Sequence, residues 1–291
     1  MKFSAIIATI GRMEPLARLL HSLKSQDLEE WEAIIVDQND DDRVFQILSR
    51  MGTLRERTRV EKSSCRNLSA ARNHGIECSQ GEFLFFPDDD SHIPSNFFSR
   101  TLGAFRLKNN LDFLSVPVID EEGSYGTSES FIPISPYNVR SLTTASNLLF
   151  RRRVVERTGP FDPSLGLGGE FGSSEDTDYV HRVMREGHRG SQYQGTWVVH
   201  KNPLVAYDHE RAKRAYHYNR GFGAFTRKHL HQYGSLLLLC SFTWEVIRNG
   251  LSTLLFLPIQ RERSRYNLMS LKGKFSGFFS YPVSKKTGGK N

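Results

Sequence analysis

The chain has 291 residues, of which 38% are hydrophobic, 11% aromatic and 24% charged, so collagen-like, low-complexity and wholly disordered readings are excluded. The net charge of +7 hides an asymmetry: the segment from Val199 onward carries 16 basic and 4 acidic residues, a net of +12, against −5 for the rest. Three scattered cysteines, Cys65, Cys78 and Cys240, form neither a disulfide framework nor a CxxC pair, and reduced thiols are expected. The first ten residues turn polar too soon for a signal peptide, so the chain is expected to be made and kept in the cytoplasm.

Phe3 to Ala8 is an unbroken apolar run, the pattern of a strand covered on both faces. Leu16, Leu19, Leu20 and Leu23 follow at helical spacing, with Pro15 in the first turn. Glu32 to Val36 reads as a second strand ending in Asp37-Gln38-Asn39-Asp40-Asp41-Asp42, and Asp42 is placed to cap a helix carrying Val44, Ile47 and Leu48. A helix is expected from Leu68 to Cys78, closed by Gly81. Next comes Phe83-Leu84-Phe85-Phe86, a strand with no polar face that stops at Pro87 and three carboxylates. Strands alternating with helices in this way mark βαβ units around a mostly parallel sheet.

Further along, Phe113 to Ile119 and Ala145 to Arg151 read as strands, with a polar, Gly/Ser-rich excursion from Asp120 to Tyr137 between them. Gly166 to Gly172 holds four glycines in seven residues and is expected to be a mobile loop that supplies no core. A helix from near Asp176 through Met184 stops at Gly187, and Leu204 to Tyr207 reads as an apolar strand. The organisation expected is an α/β domain over 1–207 and a basic extension over 208–291.

Inside that extension, Leu236 to Leu257 is apolar except for Ser241, Glu245, Arg248, Asn249 and Ser252, which fall on one narrow stripe of a helix. A spanning helix would place Glu245 and Arg248 near the bilayer centre, which is costly. A helix lying in the interface, flanked by Arg261, Arg263, Arg265, Lys272 and Lys274, avoids that cost. Packing as an ordinary terminal helix is the simpler alternative.

Ligands of open α/β sheets gather at the carboxyl ends of strands. Asp88-Asp89-Asp90 follows a buried strand directly, where three like charges repel and nothing about folding favours them. A hard divalent cation would remove the conflict; a solvated acidic turn is the bland reading. Asp88 and Asp90, two apart, would point the same way and share one ion. Asp40-Asp41-Asp42 has the same composition, yet helix capping accounts for it. Asp37 comes straight off its strand, where it could accept hydrogen bonds from a base or ribose. Glu175-Asp176, with Asp178, lies between the glycine loop and a helix, a place from which a carboxylate could act as general base. The turn after the first strand lacks both GxGxxG and GxxxxGK[ST], which removes the dehydrogenase and P-loop readings. Arg72 is a candidate for a nucleotide's base or diphosphate, an exposed helical arginine being the alternative.

In this order, strand–Thr9, strand–Asp37, Ala71-Arg72-Asn73-His74-Gly75-Ile76, Gly81 to Asp90, then Glu175-Asp176-Thr177-Asp178 with Arg182 and Gly187, the chain resembles the inverting family 2 glycosyltransferases of GT-A fold, of bacterial surface-polysaccharide type. The resemblance covers about two thirds of the chain. It implies that Thr9 and Asp37 contact the nucleoside, and that Arg72 holds the base or diphosphate. It also implies that Asp88-Asp89-Asp90 is the DxD motif, with Asp90 the ligand of Mn²⁺ or Mg²⁺, Asp88 a second ligand that supports the sugar, and Asp89 beside the nucleotide sugar. Glu175-Asp176 would be the ED pair with Asp176 the base, and a late histidine would complete the metal site, His209 first and His200 second. The implied partners are a nucleoside-diphosphate sugar, UDP-linked by preference, a glycan or lipid-linked acceptor and an anionic membrane surface. The protein would then sit on the inner face of the cell membrane. The basic tail carries no recognised nucleic-acid motif, so nucleic acid is not an expected partner. A nucleotidyltransferase of similar sheet and a non-catalytic membrane adaptor are the rival readings.

Overall fold

The computed structural model describes residues 2–121, 123, 125–200 and 207–282. By its internal contacts the chain divides into two units, Met1–Phe161 with Asp176–Asn202, and Asp162–Glu175 with Pro203–Asn291.

The first unit runs β1 (Phe3–Thr9), α1 (Glu14–Lys24), β2 (Trp31–Asp37), α2 (Arg43–Ser49), β3 (Thr58–Lys62), α3 (Leu68–Cys78), β4 (Phe83–Phe85), β5 (Ser91–His92) and α4 (Phe97–Leu107). It continues through β6 (Phe113–Ser115), β7 (Val118–Ile119), β8 (Phe131–Pro133), α5 (Val139–Leu142), β9 (Leu148–Arg151), α6 (Arg152–Thr158), α7 (Glu175–Arg185), β10 (Gly190–Tyr193) and β11 (Val198–His200). Eight strands form one sheet in the order β3-β2-β1-β4-β9-β6-β10-β8, and β5-β11-β7 form a smaller one. The stretch β3-β2-β1-β4 is parallel; β9 is antiparallel to both neighbours, and β10 is parallel to β6. The expected α/β fold with a large, mostly parallel sheet flanked by helices is therefore observed.

The apolar runs explain its interior. Phe3, Ala5, Ile7, Ile35 and Phe85 pack with Leu16, Leu19, Leu20 and Leu23 of α1 on one face, while Ile6, Leu84 and Phe150 pack with Val180 and Val183 of α7 on the other. Two faces covered by helices are what an unalternating apolar strand requires.

Several local expectations differ from the structure. Gly81 does not close α3, which ends at Cys78 with Ser79 as its C-cap; a Cβ at Gly81 would meet the backbone of Phe3 and Ser4 at 2.6 Å, so close approach to β1 is what demands glycine. Asp42 sits at the N-cap of α2 but makes no capping hydrogen bond. Its neighbour Asp41 instead accepts from Arg43 Nε and Nη2 at 2.8 and 2.6 Å. Phe113–Ile119 splits between two sheets as β6 and β7, Ala145–Asn147 is a 3₁₀ turn ahead of β9, and the polar excursion contains the edge strand β8. Of the expected strand Leu204–Tyr207, the first three residues lie outside those described.

The second unit consists of α8 (His209–Tyr233), α9 (Leu236–Phe256), α10 (Arg261–Ser280) and the segment 162–175. That segment, expected to lack core contacts, is tied down: Leu165 and Phe171 are buried against Ala224, and Tyr281 packs beside them. Lys228 Nζ lies 2.7 Å from Asp162 Oδ2, and Ser173 Oγ donates to the Tyr218 carbonyl at 2.7 Å. Two apolar side chains suffice to anchor a glycine-rich stretch when a helix offers them a cleft. Phe222, Phe225, Leu238 and Phe242 form a second small core between α8 and α9. Among the described residues no helix is long and apolar enough to cross a membrane.

Candidate active site

Parallel pairing places Thr9 beside Asp37 and Asp37 beside Lys62, so three strands end at one level. The carboxylates after β4 lie at the same edge, because β4 pairs with β1. The first turn is held to the second strand by Gly11 N donating to Asn39 Oδ1 at 2.6 Å, and Asn39 Nδ2 in turn donates to Asp37 Oδ1 at 2.6 Å. Asp37 is fully buried, with Lys62 Nζ 2.9 Å from its Oδ2.

Ser91 N and Oγ both donate to the Asp88 carbonyl, at 3.0 and 2.7 Å, and fold the three aspartates into a tight turn. Their side chains then part company. Asp89 points back: its Oδ2 accepts from Thr9 Oγ1 at 2.7 Å and its Oδ1 from Arg12 Nη1 at 2.8 Å. Asp88 and Asp90 turn to His200 on β11, whose Nε2 lies 3.8 Å from Asp88 Oδ2 and 3.1 Å from Asp90 Oδ1. Arg12 also pairs with Asp90 Oδ2.

Arg72 is buried, not exposed, and its Nη2 is 3.2 Å from Asp88 Oδ1. Its guanidinium lies over the ring of Phe161, 5.8 Å from the centroid. Asn73 fixes that ring by exchanging two hydrogen bonds with the Phe161 backbone, at 2.9 and 2.8 Å. Two arginines and an imidazole thus face three adjacent carboxylates, which offsets much of the repulsion that the sequence announces.

The titration behaviour follows. Burial raises Asp89 above its ordinary value, against the hydrogen bond from Thr9 and the charge of Arg12. Burial also pushes Asp90 upward, but His200 and Arg12 outweigh it and leave its carboxyl below the usual range. His200 is raised, first by its hydrogen bond to Asp90 and then, against burial, by the charges of Asp88 and Asp90.

One donor atom each from Asp88, Asp90 and His200 lies within 4.8 Å of the others. Two carboxylates and an imidazole converging on one point suit a divalent ion such as Mn²⁺ or Mg²⁺, provided the imidazole is neutral. The residues present fit the group. His209 is the first residue of α8, in the other unit.

Asp176, near the start of α7, is half-buried: its Oδ2 accepts from Ala145 N at 3.2 Å and its Oδ1 from Thr177 N at 2.6 Å. Glu175 is buried. Asp178 is fully buried and pairs with Arg182 Nε at 3.0 Å, a structural tie that also fixes the carbonyls of Thr158 and Pro160. Ser174, just before Glu175, is the sole non-glycine residue with positive φ among those described, at 75°; backbone strain is thus stored where the ED pair begins. Arg12 and Asn39, in the turns after β1 and β2, and Lys62, the last residue of β3, are neighbours of these side chains that sequence reasoning missed.

Residues 4–159 match the sequence profile of Glycosyl transferase family 2. An uncharacterised glycosyltransferase of Haemophilus influenzae is 24% identical over 185 residues, covering 63% of this chain and 62% of that protein. EpsJ of Bacillus subtilis, also an uncharacterised glycosyltransferase, is 25% identical over 68% of this chain and 61% of its own length. The poly(ribitol-phosphate) beta-N-acetylglucosaminyltransferase TarS of Staphylococcus aureus is 31% identical over 65% of this chain, but over only 33% of TarS. The chain therefore spans less than two thirds of each of these relatives. The crystal structure of TarS 1-349 shares the fold, with a TM-score of 0.58 at 17% identity, covering 94% of this chain and 91% of that one.

Proposed function

Because the chain belongs to glycosyl transferase family 2, we propose that it is a cation-dependent, inverting glycosyltransferase. It moves a sugar from a nucleoside diphosphate, UDP by preference, to a hydroxyl of a glycan or lipid-linked acceptor in cell-surface polysaccharide assembly. The observation that carries this reading is the convergence of Asp88, Asp90 and His200 at the carboxyl edge of the parallel strands, with Arg72 and Arg12 beside them. The likeness to TarS, also solved in complex with UDP-GlcNAc, supports a UDP-linked donor.

Asp90, Asp88 and His200 would hold a Mn²⁺ or Mg²⁺ ion, which would supply positive charge to the departing diphosphate. Thr9 and Asp37 shape the nucleoside end, Asp37 by anchoring Asn39 and Lys62. Arg72, backed by the Phe161 ring, presents a fixed guanidinium to the base or diphosphate. Asp89 holds the turn to Thr9 and Arg12, so that Asp88 and Asp90 face one way. Asp176, supported by Glu175, takes the proton from the acceptor hydroxyl; the oxygen attacks C1 from the face opposite the leaving group, and configuration inverts. Residues 1–207 form the catalytic domain in this reading. The basic residues of 208–291 bring it to an anionic membrane surface on the cytoplasmic side.

Incubating the protein with a panel of nucleotide sugars and Mn²⁺ tests the proposal. Release of nucleoside diphosphate from one of them is expected. Release of pyrophosphate instead would mean nucleotidyl transfer, and no thermal stabilisation by UDP with Mn²⁺ would mean a non-catalytic adaptor.

A further inference from the structure

The second unit leaves a long apolar face of α9 uncovered. The inward side of α9 carries the buried Leu238 and Phe242 together with the buried Asn249; Ser241, Glu245 and Ser252 are half-buried, and Glu245 Oε2 lies 3.4 Å from Nζ of the buried Lys274 on α10. The opposite face is open and apolar, with Leu237, Trp244, Ile247, Leu251, Leu254 and Leu255 all exposed, Leu254 to 71% and Trp244 to 64%. In a helix packed on a water-soluble body the apolar stripe faces the core and the polar one the solvent. An aliphatic face running the length of a 21-residue helix far exceeds the scattered exposed leucines of soluble proteins.

A second observation is independent of α9. Helices α8 and α10 meet backbone to backbone through glycine: a Cβ at Gly223 would lie 2.1 Å from the Lys274 carbonyl oxygen, and one at Gly273 2.3 Å from that of Tyr216. The buried residues of α10 are Ser264, Asn267, Ser270, Gly273, Lys274 and Gly277, none of them a large apolar residue, whereas Phe275 and Phe279 are exposed. Small residues inside and large apolar ones outside are how helices associate in lipid, where burying leucine gains nothing.

We propose that α9 lies in the plane of a membrane leaflet with its Trp244–Leu251–Leu255 face among the acyl chains, anchoring the protein as a monotopic membrane enzyme. This rests on the membrane reading above and goes beyond it, since charge alone would hold the protein at the headgroups. The flank of the face supplies the charge complement: Arg248, Arg261, Arg265 and Lys272 are exposed, and of the two acids on α9 and α10 Glu245 is turned inward, leaving Glu262. Exposed aliphatics bordered by cations match a bilayer of anionic lipids. The polar stripe along the helix keeps it in the plane.

The test uses the full chain with vesicles of phosphatidylcholine and phosphatidylglycerol, some carrying bromine on the acyl chains. Binding is expected to persist in about 1 M NaCl, where the Debye length falls to roughly 3 Å. Bromolipid is expected to quench fluorescence in a way that Trp244→Phe abolishes. The double change Leu251→Glu with Leu254→Glu should weaken partitioning by about a hundredfold, two leucines losing their apolar environment. Leu107→Glu, at an exposed leucine of the first unit, should leave it unchanged. Binding that salt reverses, without Trp244 quenching, overturns insertion and leaves the surface reading standing. No vesicle binding, with a dimer in light scattering that the double change dissociates, overturns both and assigns the face to a second copy of the chain.

Discussion

The chain contains two triplets of aspartate, and the fold treats them in opposite ways. Asp40, Asp41 and Asp42 lie on the surface, where Asp40 and Asp41 pair with Arg66 and Arg43, two exposed or half-exposed arginines. Asp88, Asp89 and Asp90 are drawn in by residues of several elements: Thr9 from the end of β1, Arg12 from the turn after it, Arg72 from α3 and His200 from β11. The lesson is that composition does not make a site. Both triplets follow buried strands that end at one edge of the sheet; what distinguishes the second is the set of side chains that converge on it there.

That contrast can be broken or sharpened by substitution. The largest effect is expected at Asp176→Asn, which should keep UDP binding while turnover falls by about 10²–10⁴, the span of a lost general base; undiminished turnover would move the base elsewhere. Asp90→Ala, or chelation of divalent ions from the native protein, should lower turnover by about a hundred- to a thousandfold and abolish thermal stabilisation by UDP with Mn²⁺.

A smaller effect concerns stability. His200 is raised above the ordinary imidazole value chiefly by Asp90. Its contribution is therefore complete below the unfolded value of about 6.5, down to where Asp90 itself protonates, and is lost as pH rises through the higher folded value. Without metal, the gap in denaturant midpoint between the native protein and His200→Gln should be widest in that acid window and close as pH climbs. A gap that widens on alkalinisation would contradict the pairing. The least effect is expected at Asp41→Asn in the surface triplet, which should leave turnover and melting temperature at native values.

Where one side chain's surroundings decided the structure, the sequence could be read. The runs Phe3–Ala8 and Phe83–Phe86 announced buried strands, and the span expected for α3, Leu68–Cys78, is the one observed. The strand β10, Gly-Ser-Gln-Tyr, could not be read so: its polar residues are buried only because β6 and β8 lie on either side. The same holds for the site. Asp88 and Asp90 stood out by their placement after a strand, whereas Arg12 meets Asp89 across 77 residues and no local pattern marks it. His200 was only the second choice among late histidines, because the pairing of β11 with β5 that brings it beside Asp90 depends on a sheet assembled at long range. On α9 the periodicity shows the polar stripe, but not that Asn249 would be buried and the leucines from Leu251 to Leu255 exposed.

The central claim is that Asp88, Asp90 and His200 seat a divalent ion against a nucleoside diphosphate. Anomalous diffraction from a crystal of this protein grown with MnCl₂ and UDP addresses it most directly. A manganese peak within bonding distance of Asp90 and His200, with the diphosphate beside it, is the result predicted. Manganese bound to other side chains, or UDP seated away from that edge of the sheet, would contradict it.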